Sequence, residues 1–345
     1  MALTTHAPAT AAARAALSRV ALAPGWAASA ALVVPFLVGV SVPPTLQYVP
    51  LVASVAVLGL PHGAVDHLAV ARTRDERPDL RAVGRVVALY GVVGGAYAVA
   101  WFLAPAASFA LFIAVTWFHW GQGDLYALVA LADADHLRSL PQRAGTVLVR
   151  GGLPMLVPLL AFPAWYRRVA TDLVALFGAD AAALAWAFRP DVRAALAVAY
   201  GALVVATLAL GYARAESRRP WALDAAETLG LVAYFAVVPP VLAVGVYFCL
   251  WHSLRHVARL LLVDDAAAEA LDDRDLSGAF ARFARDALPL TVVSLALLGG
   301  LYALVPDPPS TVPGWVALYL VFIAVVTLPH VVVVTVMDGE QGVWA

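Results

Sequence analysis

Residues 314–336, GWVALYLVFIAVVTLPHVVVVTV, carry no charged side chain and are long enough to cross a lipid bilayer as a helix. Such a crossing takes roughly 20 mostly apolar residues. Similar stretches lie between arginine-bearing breaks along the chain, and they predict an all-α, polytopic integral membrane helix bundle of about 8–10 transmembrane helices. The predicted spans are 26–43, 47–71, 86–104, 107–131, 144–166, 192–213, 222–238, 240–263, 287–305 and 314–336.

The composition excludes a soluble protein. Hydrophobic residues make up 63% of the chain and charged residues 13%, whereas soluble domains carry roughly a quarter charged residues. The formal net charge of −1 provides no basic field for binding nucleic acid. A single cysteine excludes a disulfide framework and a zinc-finger pattern.

We treat residues 1–345 as a single transmembrane domain. Residues 1–25 lack a compact apolar core followed by a cleavage site, so we expect a short cytoplasmic lead and no cleavable signal peptide. The alanine-rich stretch 168–187 holds two aspartates and is interpreted as an interfacial helix. The polar loop 264–285 contains two phenylalanines and predicts an amphipathic helix at the cytoplasmic surface.

The arginines predict the orientation of the bundle in the cell membrane. Cytoplasmic loops of membrane proteins are enriched in Lys and Arg. With the N-terminus inside, most loop arginines also lie inside, and the exceptions flank the doubtful stretch 168–187. We therefore expect both termini on the cytoplasmic side. The exceptions are Arg167, Arg168, Arg189 and Arg193.

Six histidines fall within predicted spans, where ionisable residues are costly and usually mark function. They occur in four phrases at a similar predicted depth, on helices that run in the same direction. A single intramembrane histidine is most often a hydrogen-bond donor between helices, but several at one depth favour a common site. His6 and His136 lie outside the spans and are expected to be solvated. The phrases are GLPHGAVDH (59–67), TWFHWGQGD (116–124), CLWHSLRH (249–256) and LPHVVVVTVMD (328–338).

The spacing within these phrases favours a metal site. His252 and His256 are four residues apart and share a helix face, which is a common chelating arrangement. Asp66 has the same spacing from His62 and is expected to accept a hydrogen bond from its imidazole, which would fix the ring tautomer. His67 lies about 140° from His62 on an ideal helix, so both face one metal only if the helix is broken.

Two further groups have less regular placements. On an ideal helix Asp124 does not share a face with His119, although Gly121 and Gly123 permit a kink that could bring them together. Arg255 lies between the paired histidines and is expected either to pair with Asp66 or Asp124 or to reach toward the inner surface.

Neutral imidazoles suit iron, zinc, copper and nickel, which leaves several chemistries open. A zinc protease would usually show HExxH, whereas residues 252–256 read HSLRH. Haem held by two histidines, in an electron-transfer protein, is one alternative. A transporter or proton channel that uses Asp66, Asp124, Asp338 and the histidines as a relay is another. Mononuclear iron with open positions for dioxygen, acting on a lipid-borne substrate, is the third.

The four phrases together resemble those of the bacteriorhodopsin-related membrane proteins, the bacterial and archaeal β-carotene dioxygenases that make retinal. The phrases follow the family's order from residue 59 to residue 338. The resemblance implies an intramembrane non-haem Fe(II) dioxygenase that cleaves the central double bond of β-carotene with dioxygen. It also implies that the product, retinal, passes to a microbial rhodopsin.

Carried onto this sequence, the resemblance implies four iron ligands. They are His62, His119, His252 and His256. His67 and His330 also lie in family motifs, but adding both would fill the positions that dioxygen needs. Asp66 and Asp124 are expected to orient the ligand imidazoles through hydrogen bonds without binding the metal themselves.

The predicted orientation is testable with a reporter fused after Ala345. Because both termini are expected inside, a reporter that is active only in the cytoplasm should give signal, and one that is active only outside should give none. The reverse pattern would mean that the number of spans is wrong by one.

Overall fold

The computed structural model describes residues 10–344, and every regular element in that range is helical. Two short π-helical segments, Tyr90–Gly94 and Phe248–Ser253, join α5 to α6 and α12 to α13. Two 3-10 turns cover Gly63–Val65 and Ala182–Phe188. The α-helices are α1 (Ala11–Leu37), α2 (Pro44–Gln47), α3 (Val49–Ala53), α4 (Asp66–Thr73), α5 (Leu80–Leu89), α6 (Gly95–Leu103), α7 (Pro105–Leu131), α8 (Leu140–Ala161), α9 (Pro163–Ala175), α10 (Pro190–Arg214), α11 (Arg218–Val237), α12 (Pro240–Tyr247), α13 (Leu254–Leu262), α14 (Asp265–Asp272), α15 (Leu276–Leu304) and α16 (Val312–Glu340).

Within residues 10–344, seven helical stretches are long and apolar enough to cross a membrane. α7 and α11 coincide with the predicted fourth and seventh spans, but each carries buried polar side chains that lower its mean hydropathy. The prediction of a polytopic all-α bundle is confirmed. The seven stretches are Ala13–Leu37, Leu80–Leu103, Leu140–Ala161, Pro190–Arg214, Pro240–Leu262, Leu276–Leu304 and Val312–Glu340.

The predicted second span, 47–71, is not one helix. α3 ends at Ala53, and regular helix resumes only with the 3-10 turn at Gly63. Leu58 has a positive φ of 59°, and Pro61 provides no amide hydrogen, so a continuous helix cannot pass through this segment. Irregular backbone at membrane depth is tolerated where it is buried in protein or lines a cavity. In this segment Gly59, Leu60 and His62 are buried and line a cavity, whereas Val57 is exposed.

Other predicted boundaries shift at the polar ends of helices. α1 begins at Ala11, so much of the stretch assigned to a lead is the first part of the helix that continues through the first span. The stretch 168–187 contains the end of α9 and a 3-10 turn, neither of which is long enough to cross a membrane. Residues 264–285 form α14 and the first turns of α15, and Phe283 is buried in a core with Leu17. Residues 1–9, which include His6, lie outside the described part.

Close contact between α7 and α8 sets the spacing at the centre of the bundle. A Cβ atom added at Gly151 would lie 1.8 Å from the carbonyl oxygen of Trp117, and one at Gly121 would lie 2.1 Å from that of Val147. Only glycine allows two backbones to approach this closely, which is the usual reason for small residues at helix interfaces in membranes.

We expect Gly151→Ala to destabilise the protein, because the methyl group would meet a carbonyl oxygen that cannot move independently of α7. Overpacking of this kind costs about 1–3 kcal/mol. The measurement is the thermal unfolding midpoint of the detergent-purified protein. Gly201→Ala in α10 is the control, since no atom lies within 4 Å of a Cβ added there. Equal midpoints for the two variants would contradict the close-contact interpretation.

Candidate metal centre

Five histidines from four separate parts of the chain meet inside the bundle. His62, His119, His252, His256 and His330 are each at most 6% exposed. Their neighbouring ring centroids lie 4.7 to 5.4 Å apart. We call these five residues the histidine cluster. The predicted convergence of the four phrases is therefore observed, and His330 belongs to the cluster as closely as the four residues named first.

Irregular helix geometry delivers two of these rings. His62 ends the irregular segment between α3 and the 3-10 turn, so it is presented from a break rather than from the middle of a helix. His252 lies in the π-helical segment Phe248–Ser253, and His256 follows in the first turns of α13. π-Helical insertions are rare and are often found at functional sites.

Hydrogen bonds fix which nitrogen of His62 faces the cluster. Its Nδ1 contacts the carbonyl oxygen of Gly59, and since a carbonyl only accepts, Nδ1 carries the hydrogen. Nε2 therefore keeps its lone pair. Ser253 Oγ lies 3.2 Å from the same Nδ1. Elsewhere in the cluster, the Nε2 atoms of His119 and His252 lie 3.0 Å apart.

Asp66 is bound to a different histidine from the one predicted. Its Oδ2 lies 2.7 Å from Nδ1 of His330, whereas His62 is bound to Gly59. Tyr90 donates its hydroxyl hydrogen to the same oxygen of Asp66 at 2.6 Å. The expectation that Asp66 orients His62 is wrong, because the broken helix turns His62 toward its own backbone while His330 of α16 faces the carboxylate.

His67 and Asp124 lie away from the cluster contacts. His67 is half-buried, and its Nδ1 donates to the carbonyl oxygen of Ala64 at 3.0 Å. Neither His67 nor His252 is in the two groups of side chains whose spacing suits a metal ion, but of these two residues only His252 has described ring contacts with other histidines. Asp124 accepts a hydrogen bond from Trp251 Nε1 at 2.9 Å and lies 3.3 Å from Arg255 and 3.5 Å from Arg150. Its described polar contacts are thus to these three groups rather than to His119.

A second polar centre lies beside the histidines. Arg150 is bound to Asp224 and to Glu227, at 2.8 Å in each case, and Arg255 is bound to Glu227 at 2.6 Å. All of these side chains and Asp124 are buried. We call Asp124, Arg150, Asp224, Glu227 and Arg255 the ion cluster. Arg255 thus pairs with Asp124, as one of its two predicted partners, and also with Glu227.

His136 belongs to the edge of this ion cluster. It is 1% exposed, and its Nε2 lies 2.9 Å from Asp224. The expectation that it is solvated is wrong, because the loop between α7 and α8 folds back against α11. Asp338 is also separate from the histidines, since its carboxylate lies 2.8 Å from Arg259.

An apolar cavity of about 680 Å³ begins at the histidine cluster. His62, His119, His252 and His330 form part of its lining, and aliphatic and aromatic side chains form most of the rest. Val293 and Leu297 of α15 and Val87 of α5 also line it, yet they are 49%, 58% and 53% exposed. The cavity therefore reaches the exposed outer surface of the bundle at α5 and α15, and we call this part its sideways opening.

The chemistry of the histidine cluster fits a transition-metal ion. One ligand atom each from His62, His119 and His330 lie within 4.8 Å of one another, and the same holds for Asp66, His256 and His330. Within residues 10–344, Nε2 of His256 and Nε2 of His330 are buried and have no hydrogen-bond partner. Buried nitrogens without partners cost about 1–3 kcal/mol each, which a bound cation would offset. Neutral imidazoles with one carboxylate suit iron, zinc, copper or nickel.

Several of these polar residues could not be predicted from sequence motifs. No motif in the sequence contains Tyr90, Arg150, Asp224 or Glu227. The charges of Asp224 and Glu227 within a predicted span were an available signal, because buried carboxylates in membrane helices need cationic partners.

A buried polyhistidine centre, opening on an apolar cavity in a polytopic membrane bundle, defines a class of membrane-embedded enzyme that acts on lipid-soluble molecules. Residues 53–338 match the family model described as β-carotene 15,15'-dioxygenase. This chain belongs to that family.

Curated relatives agree over nearly the whole chain. The probable β-carotene 15,15'-dioxygenase Blh of Halobacterium salinarum is 53% identical over 336 residues, which is 97% of both chains. The probable β-carotene 15,15'-dioxygenase Brp of the same species is 35% identical and covers 92% of this chain and 91% of its own. The β-carotene 15,15'-dioxygenase of an uncultured marine bacterium, 66A03, is 22% identical, with coverage of 82% and 90%. No solved structure gives a significant match.

We expect alanine at His252, His256 or His330 to lower the transition-metal content of the purified protein sharply, because each change removes a nitrogen from the cluster. The measurement is metal stoichiometry by elemental analysis. His67→Ala is the matched control, since His67 belongs to the same sequence phrase as His62 but lies outside the histidine cluster. Full occupancy in the His330 variant, with loss in the other two, would remove His330 from the centre.

Proposed function

We propose that this protein is a membrane-embedded non-haem iron dioxygenase that cleaves the central 15,15' double bond of β-carotene to give two molecules of retinal. The observation that carries the proposal is the apolar cavity that leads from the exposed outer surface of the bundle to five buried histidines. Family membership supports the substrate and the reaction. In this reaction the central carbon–carbon double bond breaks, and each product aldehyde receives one oxygen atom of dioxygen.

We assign the iron to His62, His119, His252 and His256, with His330 as a fifth ligand. Nitrogen donors without thiolates suit iron(II). With these five imidazoles as ligands the ion would remain accessible to dioxygen, whereas a further ligand would block that access. The half-buried position of His67 and its bond to Ala64 support its exclusion from the ligand set.

The residues around the iron would supply orientation and dryness. The Gly59 carbonyl and the Asp66 carboxylate each hold Nδ1 of a histidine, so that Nε2 is free to face the metal. Trp120 and Phe248 pack against the His252 ring, with centroids 5.6 and 6.2 Å away, and keep water from this side of the cluster. Iron(II) bound there would supply the binding and activation of dioxygen.

The cavity suits a hydrocarbon substrate. β-Carotene has no polar group, so the protein can recognise only its shape and its midpoint. An extended polyene of this size is roughly as long as the bilayer core is thick, ~30 Å, so a site near mid-depth favours central cleavage. The sideways opening at α5 and α15 would admit β-carotene from the bilayer and release retinal to it, where a microbial rhodopsin would take it up.

The two alternative functions fit the contacts less well. A haem held by two histidines needs a flat space for the macrocycle between the two rings, whereas the rings of the histidine cluster pack edge to face with centroids 4.7 to 5.4 Å apart. A proton relay needs its carboxylates to lie along one continuous path. Asp66, Asp124 and Asp338 belong instead to three groups, bound to His330, to Arg150 and Arg255, and to Arg259.

The experiment is expression in bacteria that accumulate β-carotene, followed by extraction and chromatography of the products. We expect retinal as the only cleavage product, consumption of dioxygen, and loss of activity with an iron chelator. Unequal fragments would keep the oxygenase class but exclude central cleavage. Persistence of colour with no retinoid, together with a Soret band in the purified protein, would favour haem binding instead.

A matched pair of glycines tests whether this cavity holds the substrate. Gly299 and Gly300 of α15 both have no atom within 4 Å of an added Cβ, but only Gly300 is among the residues that line the cavity. Gly300→Leu should lower kcat/KM for β-carotene by roughly tenfold. The leucine side chain would occupy cavity volume, and a misfit of one methylene group in an apolar pocket changes transition-state binding by about 1–3 kcal/mol. Gly299→Leu should leave it unchanged. Equal activity in the two variants would exclude this part of the cavity as the substrate site.

A further inference from the structure

One carboxylate oxygen joins the cavity wall to the histidine cluster. Asp66 Oδ2 receives two hydrogen bonds, one from Nδ1 of His330 at 2.7 Å and one from the hydroxyl group of Tyr90 at 2.6 Å. The other oxygen, Oδ1, is buried and has no hydrogen-bond partner among residues 10–344. Only two described hydrogen bonds therefore hold this carboxylate, and one of them is to the ring that it orients.

Tyr90 is thus the independent support of the pair. It comes from a different part of the bundle, at the start of the π-helical segment between α5 and α6, whereas Asp66 begins α4 and His330 belongs to α16. Without the tyrosine hydroxyl, Asp66 would be free to rotate together with His330. With it, Nδ1 of His330 stays bound to Asp66, and Nε2 is left as the buried ring nitrogen without a hydrogen-bond partner among the described residues.

Tyr90 also lines the apolar cavity and is half-buried. The adjoining Gly91, Gly94 and Gly95 line the same wall, close to the sideways opening. The residue that steadies the Asp66–His330 pair is therefore part of the surface against which a substrate would lie.

We propose that Tyr90 is a positioning residue of the metal centre, whose hydroxyl group holds Asp66 so that His330 presents Nε2 to the metal. The inference rests on the proposed function only in that the histidine cluster binds a metal ion. It adds a hydroxyl group from the cavity wall, outside the histidine motifs, to the groups that set the geometry of the centre.

The test compares Tyr90→Phe with Tyr97→Phe. Both changes remove one hydroxyl group and keep the ring, but Tyr97 donates to the carbonyl oxygen of Ser108 at 2.7 Å, away from the histidines. Metal-free protein in detergent is titrated with Co²⁺, whose visible spectrum reports the ligand field. Tyr90→Phe should weaken Co²⁺ binding by roughly tenfold or more and alter the spectrum, because partners behind metal ligands typically contribute 10- to 100-fold. Tyr97→Phe should match the wild type.

Two further measurements separate positioning from a general effect on folding. With β-carotene, Tyr90→Phe should lower kcat and leave KM near the wild-type value, since the ring that lines the cavity is retained. In a His330→Ala background, Tyr90→Phe should cause no further loss of Co²⁺ affinity. Equal effects of the two tyrosine variants, or a loss that persists without His330, would overturn the proposal.

Asp66→Asn supplies the same test from the other side of the hydrogen bond if Tyr90→Phe does not accumulate. It should weaken Co²⁺ binding at least as much as Tyr90→Phe is expected to. Wild-type Co²⁺ affinity in Asp66→Asn would overturn the positioning role while leaving the metal centre intact. Absence of Co²⁺ binding in the wild-type protein would instead overturn the proposed function.

Discussion

Polar groups buried in an apolar bundle must satisfy one another, and this constraint governs the whole arrangement. A bilayer core offers no water to bond a buried charge or imidazole. The protein places nearly all of its buried ionisable groups in a few joint clusters, of which the histidine cluster and the ion cluster are the largest. The difference between the two is chemical. In the ion cluster, arginines and carboxylates of opposite charge form salt bridges with one another. In the histidine cluster, the one described carboxylate contact is that of Asp66 with His330, and Nε2 of His256 and Nε2 of His330 have no hydrogen-bond partner within the described residues.

One helical segment serves both clusters. Trp251 and Arg255 are four residues apart and contact Asp124, while His252 and His256, one position further on, face the other histidines. The salt bridges of Arg255 therefore fix the rotation of this helix and so the direction of both imidazoles. Breaking a buried pair by removing one partner leaves an uncompensated charge and is strongly destabilising. The ion cluster thus helps to set the orientation of the histidine cluster, although none of its members lines the apolar cavity.

The segments that depart from regular α-helix lie beside the histidine cluster. The break before His62 exposes the Gly59 carbonyl that binds its ring, and the π-helical segments contribute His252 and Tyr90. Side chains that point to one side of a regular α-helix recur at a fixed spacing. His62, His252 and Tyr90 depart from that spacing because they lie in or beside irregular or π-helical segments. The sideways opening of the cavity has a related origin, because α15 packs mainly through its first half and leaves Val293 and Leu297 exposed.

The sequence by itself determined the membrane class, most span positions and the four histidine phrases, because length, hydropathy and residue type are local properties. It also determined that His252 and His256 share a face, since helix periodicity fixes that relation. It did not determine that Asp66 binds His330, that His136 is buried against Asp224, or that Asp124 belongs with Arg150 and Arg255. These pairs are far apart in the chain, and their contacts depend on how helices rotate and where one of them breaks. Only the packed bundle decides this, because each buried charge takes the partner that tertiary packing brings within hydrogen-bond distance.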